Sequence, residues 1–153
     1  MRYRRAKTPG GTYFFTVNLA DRTRALLVEH IDVLRASVAK VKAAHPFVAI
    51  AWVVLPEHMH AIWKLPENDC DFSMRWSLIK SGFSRQISKA EPIVMSRMTK
   101  GERGIWQRRF WEHEIRDEQD LRAHINYIHN NPVKHGHAQS AAEWPYTSFN
   151  RYR

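Results

Sequence analysis

Two stretches of the chain carry side chains that could do chemistry together. The first is PEHMHAIWKLPE, residues 56–67, where His58 and His60 stand one residue apart in an apolar run. On a strand, residues i and i+2 point to the same face, so the two imidazoles project together. Met59, Ala61 and Trp63 then go to the opposite side, which is apolar enough to be a core face. Two imidazoles side by side on a rigid strand are good ligands for a divalent ion. Alone, a His-x-His pair is more often incidental. The second stretch is DLRAHINYIHNNPVKHG, residues 120–136. There Asp120, His124, Tyr127 and Asn131 recur at intervals of four, three and four, which places them on one helical stripe. An apolar stripe of Leu121, Ile125 and Ile128 runs beside it. A helix packed by that apolar stripe aims Tyr127 and Asn131 at whatever it covers. If it covers the open face of the sheet, they meet His58 and His60. The plain alternatives are a half-buried Tyr127 with its hydroxyl in water and an Asn131 that caps the helix before Pro132.

The elements that must position these groups follow from periodicity. GGTYFFTVNLA pairs a glycine turn with aromatic and β-branched residues and predicts a strand over about 12–20. Ile31, Leu34, Val38 and Val41 form the stripe of an amphipathic helix that ends before Pro46. FVAIAWVVL predicts a buried strand, Pro56-Glu57 a break, and HMHAIWKL a second strand, together an antiparallel hairpin. Phe72, Trp76, Ile79, Phe83 and Ile87 mark one face of a second helix, with Arg75, Lys80 and Arg85 on its other positions. Residues 90–104 read as a polar loop and 108–115 as a fourth strand. Asp117 is the expected N-cap of a third helix, which Pro132 should end. The order predicts an α+β fold, a ferredoxin-like four-stranded antiparallel sheet (βαββαβ) with an added C-terminal helix that carries the tyrosine.

The 153 residues make one domain, with a basic N-terminal arm at 1–11 and a C-terminal tail at 138–153. At 44% hydrophobic residues and six Trp, the chain can bury a core. A single cysteine, Cys70, excludes an internal disulfide framework. The N-terminus lacks the apolar segment of a secretory signal, and the longest apolar run, Phe47 to Leu55, is too short to span a membrane. The expected location is cytoplasmic, with no membrane partner.

The charge points to a polyanion. There are 24 Lys and Arg against 15 Asp and Glu, a net charge of +9. The excess is clustered, with nine basic residues against two acidic ones over 72–110, and it reverses over 111–124 to five acids against two Arg. Arg2, Arg4 and Arg5 form an arm that could hold single-stranded bases, with Tyr3 available for stacking. Lys80, Arg85, Arg108, Arg109 and Lys134 are candidate phosphate contacts.

WVVLPEHMHAIWKLP, WQRRFWEHEIRDEQDLRAHINYIHNNPVKHG and GGTYFFTVNL together resemble the single-tyrosine transposases of the HUH nuclease superfamily, and most closely the bacterial REP-associated tyrosine transposases. The resemblance implies that Tyr127 is the nucleophile and that His58, His60 and Asn131 hold a divalent cation. Relatives can carry Gln at the Asn131 position. It also implies a covalent 5′-phosphotyrosine intermediate with a free 3′-hydroxyl, rejoining without ATP, and a target of single-stranded DNA beside REP-type hairpins. A monomer is expected, associated with the bacterial nucleoid. A phenol, with a pKa of ~10, is a weak nucleophile at neutral pH, so a cation on the phosphate matters. Mg²⁺ or Mn²⁺ suits phosphate, and two imidazoles with an amide lean toward Mn²⁺. His124 is a possible accessory base, whereas His129 should face elsewhere. Two rivals remain. A non-catalytic ferredoxin-like nucleic-acid-binding module would need exposed aromatics on the sheet face. A phosphodiesterase that activates water would need more carboxylates than Glu57 near the histidines.

Overall fold

The aromatic and β-branched run Thr12–Asn18 forms β1, and the computed structural model describes residues 7–91 and 104–151 around it. After β1 come a short helix α1 (Leu26–Glu29), α2 (Ile31–Ala44), β2 (Val48–Val54), β3 (His58–Lys64), α3 (Phe72–Ala90), β4 (Trp111–Glu114) and α4 (Glu118–Lys134). The strands form one sheet in the order β2-β3-β1-β4, each neighbour antiparallel. This is the expected ferredoxin-like α+β fold; α1 was not foreseen. The arm residues Arg2, Tyr3, Arg4 and Arg5 lie outside the described residues. Among the described residues, no helix is long and apolar enough to cross a membrane.

Alternation divides β3 as the sequence predicted. Met59, Ala61 and Trp63 join the core beneath α2 and α3, where all five apolar positions of the α3 stripe are buried. Trp63 stacks between Phe47 and Trp76, at centroid distances of 4.1 and 4.3 Å. Ile62 faces the other way and joins Ala51, Val53, Leu55 and Ile128 in a second apolar cluster, against which Leu121 and Ile125 pack half-buried. Helix α4 therefore covers the face of the sheet that α2 and α3 leave open. Asp117 caps it, its carboxylate accepting from the Asp120 N–H at 2.8 Å.

Strand β2 contains a feature its nearly continuous apolar sequence hides. The register against β3 shifts between Ala49 and Ala51, so Ala49 opposes Trp63 while Ala51 opposes Ile62. One extra residue flips every later side chain to the other face. Ala51, Val53 and Leu55 thereby come to lie under α4, and Phe47 stays with the tryptophans.

The sequence-based picture needs two corrections. Arg75 is not a surface cation. It is 1% exposed, with its guanidinium on both Asp69 carboxylate oxygens (3.1 and 2.8 Å) and on the carbonyls of His45, Pro46 and Asp71. A buried charge is tolerated because every face of it is paired. Pro132 does not end α4. Asn131 and Pro132 are both buried, and that packing overrides the local bias against a helical residue before proline. The helix runs on to Lys134 and closes with Gly136 at φ +76°, where the His137 N–H reaches the Pro132 carbonyl and the Gly136 N–H that of Val133. Beyond α4, the C-terminal segment packs back on the sheet. Thr147 bridges Val53, the Val54 N–H bonds the Tyr146 carbonyl, and the Trp144 indole N–H bonds the Val54 carbonyl at 2.8 Å, so this segment covers the free edge of β2.

Candidate active site

His58 and His60 project to one face of β3, and α4 buries them there, each 4% exposed, with ring centroids 5.0 Å apart. The Nδ1 atom of each ring is engaged. His58 Nδ1 donates to the Glu57 carboxylate at 2.7 Å, and His60 Nδ1 meets the Thr16 hydroxyl at 2.9 Å. The Glu57 carboxylate holds the proton on His58 Nδ1 and leaves its Nε2 as the free lone pair, and His60 Nε2 has no hydrogen-bond partner; an oriented imidazole with its far nitrogen hydrogen-bonded is how proteins present a metal ligand. Burial pushes the His60 imidazole down to about 3, with His58 adding to the shift. Burial also lowers His58, against the pull of Glu57. Both rings are therefore neutral at physiological pH, the state a ligand needs.

Helix α4 supplies the other wall. The Tyr127 ring meets His60 edge-on at 5.3 Å, and two turns later the His135 ring meets His58 at 5.3 Å. Asn131 stands one turn after Tyr127 and one turn before His135, so it lies between the two contacts. It is fully buried, and neither its carbonyl oxygen nor its amide nitrogen has a hydrogen-bond partner; His60 Nε2 is orphaned in the same way. Buried polar atoms without partners are rare and costly. Three such atoms, one on β3 and two on the helix that covers it, suit a cation ligated by His60, Asn131 and His58. This is not a C-cap asparagine, since His135 holds that position.

Tyr127 is 39% exposed. Phe14 supports it edge-on at 5.9 Å, and the same Phe14 ring stacks on His60 at 5.3 Å. Lys134 holds its ammonium 5.2 Å from the centre of the Tyr127 ring. His124 is turned elsewhere: its Nδ1 lies 2.9 Å from the Asp120 carbonyl and 3.2 Å from the Asp120 carboxylate. His129 faces Ser148 (3.0 Å) and Phe149, as expected.

A family model described as transposase IS200-like matches residues 11–131. The REP-associated tyrosine transposase of Escherichia coli K12 is 48% identical over 149 residues, 97% of this chain and 82% of the relative. The chain belongs to this family. A putative REP-associated tyrosine transposase of Haemophilus influenzae is 45% identical over 97% of this chain and 85% of its own length. A solved REP-associated tyrosine transposase bound to a REP hairpin superimposes with a TM-score of 0.86 at 48% identity, covering 99% of this chain and 84% of that one. A putative transposase of Deinococcus radiodurans shares the fold alone, with a TM-score of 0.55 at 16% identity.

The remaining described candidates of this REP-associated transposase chain, Arg109 apart, fall in two places. Lys134 is at the tyrosine. Lys80, Arg85 and Arg108 line a groove of about 680 Å³ with Ser73, Ser77 and Ser84, on the α3 side of the sheet. Lys80 donates there to the Gln107 carbonyl at 3.1 Å. Arg85, Arg108 and Arg109 are exposed. Three contributors escaped the sequence reading. Thr16 is visible only through strand register, opposite His60. Glu57 stood out as a lone carboxylate rather than as a histidine's partner. His135 continues the Tyr127-Asn131 spacing by four, but the expected stop at Pro132 hid it.

Proposed function

We propose that this chain nicks and rejoins single-stranded DNA beside REP-type hairpins, with Tyr127 as nucleophile and His58, His60 and Asn131 holding a divalent cation. The observation that carries the reading is the bracket formed by α4. Tyr127 touches His60, His135 touches His58, and the buried Asn131 between them leaves both amide atoms unpaired. The names of the relatives, and the hairpin in one related structure, support the same substrate class.

Bound at these ligands, Mg²⁺ or Mn²⁺ would polarise the scissile phosphate and offset the charge that develops on it. The chain's own groups do the rest. Tyr127 Oη attacks phosphorus, the bond to the 3′-oxygen breaks, and that oxygen leaves as a hydroxyl once protonated. The phenolic proton passes to solvent or to a base, and the 5′-phosphate remains on tyrosine. Attack by a 3′-hydroxyl reverses the step, because the bond energy is kept in the link. Phe14 packs edge-on against the Tyr127 ring beside His60. Lys134 places a positive charge where a phosphate and a phenolate would both be stabilised. The groove of Lys80, Arg85 and Arg108 offers phosphate contacts beyond the site.

The test is a labelled single-stranded hairpin with a flanking single-stranded tag, incubated with protein and Mn²⁺. A denaturant-stable protein–DNA adduct is expected, with a free 3′-hydroxyl product. Tyr127→Phe should remove the adduct and the cleavage but keep hairpin binding. Cleavage that persists in Tyr127→Phe sinks the proposal, and binding without cleavage by the native chain favours a binding module instead.

A further inference from the structure

Beside the tyrosine site lies a separate cluster that the strand-transfer reading leaves unused. His113 on β4 and Asp120 and His124 on α4 each offer a ligand atom, and the three atoms lie within 4.8 Å of one another. His113 Nε2 is 2.8 Å from Asp120 Oδ2, and His124 Nδ1 is 3.2 Å from Asp120 Oδ1 and 2.9 Å from the Asp120 carbonyl, a bond an ion at this nitrogen would have to replace. The two imidazoles stack nearly parallel, with centroids 4.6 Å apart and an interplanar angle of 19°, so both turn a nitrogen toward the same carboxylate. The Phe14 ring packs tilted against His124, with centroids 4.8 Å apart. The Arg116 N–H donates to Asp120 Oδ2 at 3.0 Å and fixes that carboxylate. The Arg116 side chain is 79% exposed and only 3.9 Å from the same oxygen, a weak competitor.

The geometry suits a small ion. Around a tetrahedral centre with bonds of about 2.0–2.1 Å, ligand atoms sit about 3.3 Å apart. His113 Nε2 stands 2.8 Å from Asp120 Oδ2, about half an ångström short of that edge, and one ligand atom from each of the three residues lies within 4.8 Å of the other two. The local charge also favours a cation. The chain carries +9 overall, but residues 111–124 hold five acids against two arginines, so this is the wrong place for a phosphate. We propose that His113, Asp120 and His124 form a second metal site, specific for a borderline transition-metal dication such as Zn²⁺ or Co²⁺. Two imidazoles and one carboxylate prefer these ions to Mg²⁺. With three protein ligands, and side chains between 14% and 36% exposed, the ion keeps at least one position for water. It ties the edge strand β4 to the first turns of α4, the helix that carries Tyr127.

The experiment uses tag-free protein in which His58→Gln and His60→Gln remove the other imidazole pair. Titrated with Co²⁺, this protein should take up one equivalent and develop visible d–d absorption. Zn²⁺ should displace it, and Mg²⁺ should not. Adding His113→Gln should abolish the bands and weaken Co²⁺ binding at least roughly tenfold. Because the double background could fail to fold, the native chain is tested as well. In a histidine ¹⁵N spectrum, Zn²⁺ should shift the ring nitrogens of His113 and His124, and Asp120→Asn should suppress that shift. The proposal is overturned if the folded double variant binds no Co²⁺, if its bands survive His113→Gln, or if the His113 and His124 resonances ignore Zn²⁺. Those results would leave a hydrogen-bonded trio and no ion site, and none of them bears on the tyrosine chemistry.

Discussion

Asn131 is the residue at which stability and proposed activity part company. An unpaired buried polar group costs about 1–3 kcal/mol, and here both ends of one amide are unpaired. Asn131→Leu keeps the number and branching of heavy atoms and removes the polar atoms. In chelator it should stabilise the fold by about 1 kcal/mol, a rise of about 2–4 °C in melting temperature for a chain of this size. Its affinity for Mn²⁺ should fall at the same time, read by calorimetry. A fall in both would point instead to a structural amide. His60 gives a second prediction, in pH. In the unfolded chain a histidine titrates near 6.5. In the fold, burial holds His60 at about 3. Between those values the unfolded chain binds a proton that the folded chain does not. Stability should be intact above pH 6.5 and fall as pH drops below it, by up to about 1.4 kcal/mol per pH unit. Urea midpoints of the metal-free protein between pH 7.5 and 5 test this, and a slope unchanged in His60→Gln would refute it. The histidine pair and the tyrosine were legible in the sequence because the strand period of two and the helix spacing of four and three place them without further knowledge. Thr16 was not, since only the β1–β3 register puts it opposite His60.

At the scale of elements, helix α4 depends on its two ends. Asp117 anchors the start, and the positive φ of Gly136 closes the finish just beyond His135. Gly136→Ala forces an L side chain into the left-handed region and should cost about 1 kcal/mol. Because it also disturbs the turn that seats His135 against His58, Mn²⁺ binding should weaken in step, which a Gly136→Asn variant should partly restore. If Gly136→Ala melts at the native temperature, the turn is not under the strain its φ implies. The three long helices were readable from apolar spacing, most fully the apolar stripe of α3, because a core face shows itself at i, i+4 and i+7. Two things were not. Pro132 carried a local stop signal, but the burial of Asn131 and Pro132 is a tertiary contact and no local rule contains it. The register shift in β2 sits in a run of apolar residues with no alternation to betray it, so nothing in the sequence shows that Ala51 and Phe47 face opposite layers.

Across the whole molecule, the C-terminal segment closes the sheet's β2 edge, through the Val53–Thr147 bridge and the bonds of Ser148 and Tyr146 to Trp52 and Val54. An open strand edge is a template for pairing with another chain. A chain ending after Glu143 should therefore melt lower and associate with rising concentration, as light scattering would register. A monomer with an unchanged melting point would show the segment to be dispensable. The middle of the sheet is organised differently, around Phe14. That ring stacks on His60 from the neighbouring strand and touches both His124 and Tyr127 on the helix above. Nuclei held over the face of an aromatic ring are magnetically shielded, so the His60 ring protons should resonate well upfield of those of a free imidazole. Any ion that draws His60 toward Asn131, or any strand that displaces Tyr127, changes the angle at which those rings meet. Phe14 thus gives the site a built-in spectroscopic gauge, readable in the native chain without label or substitution.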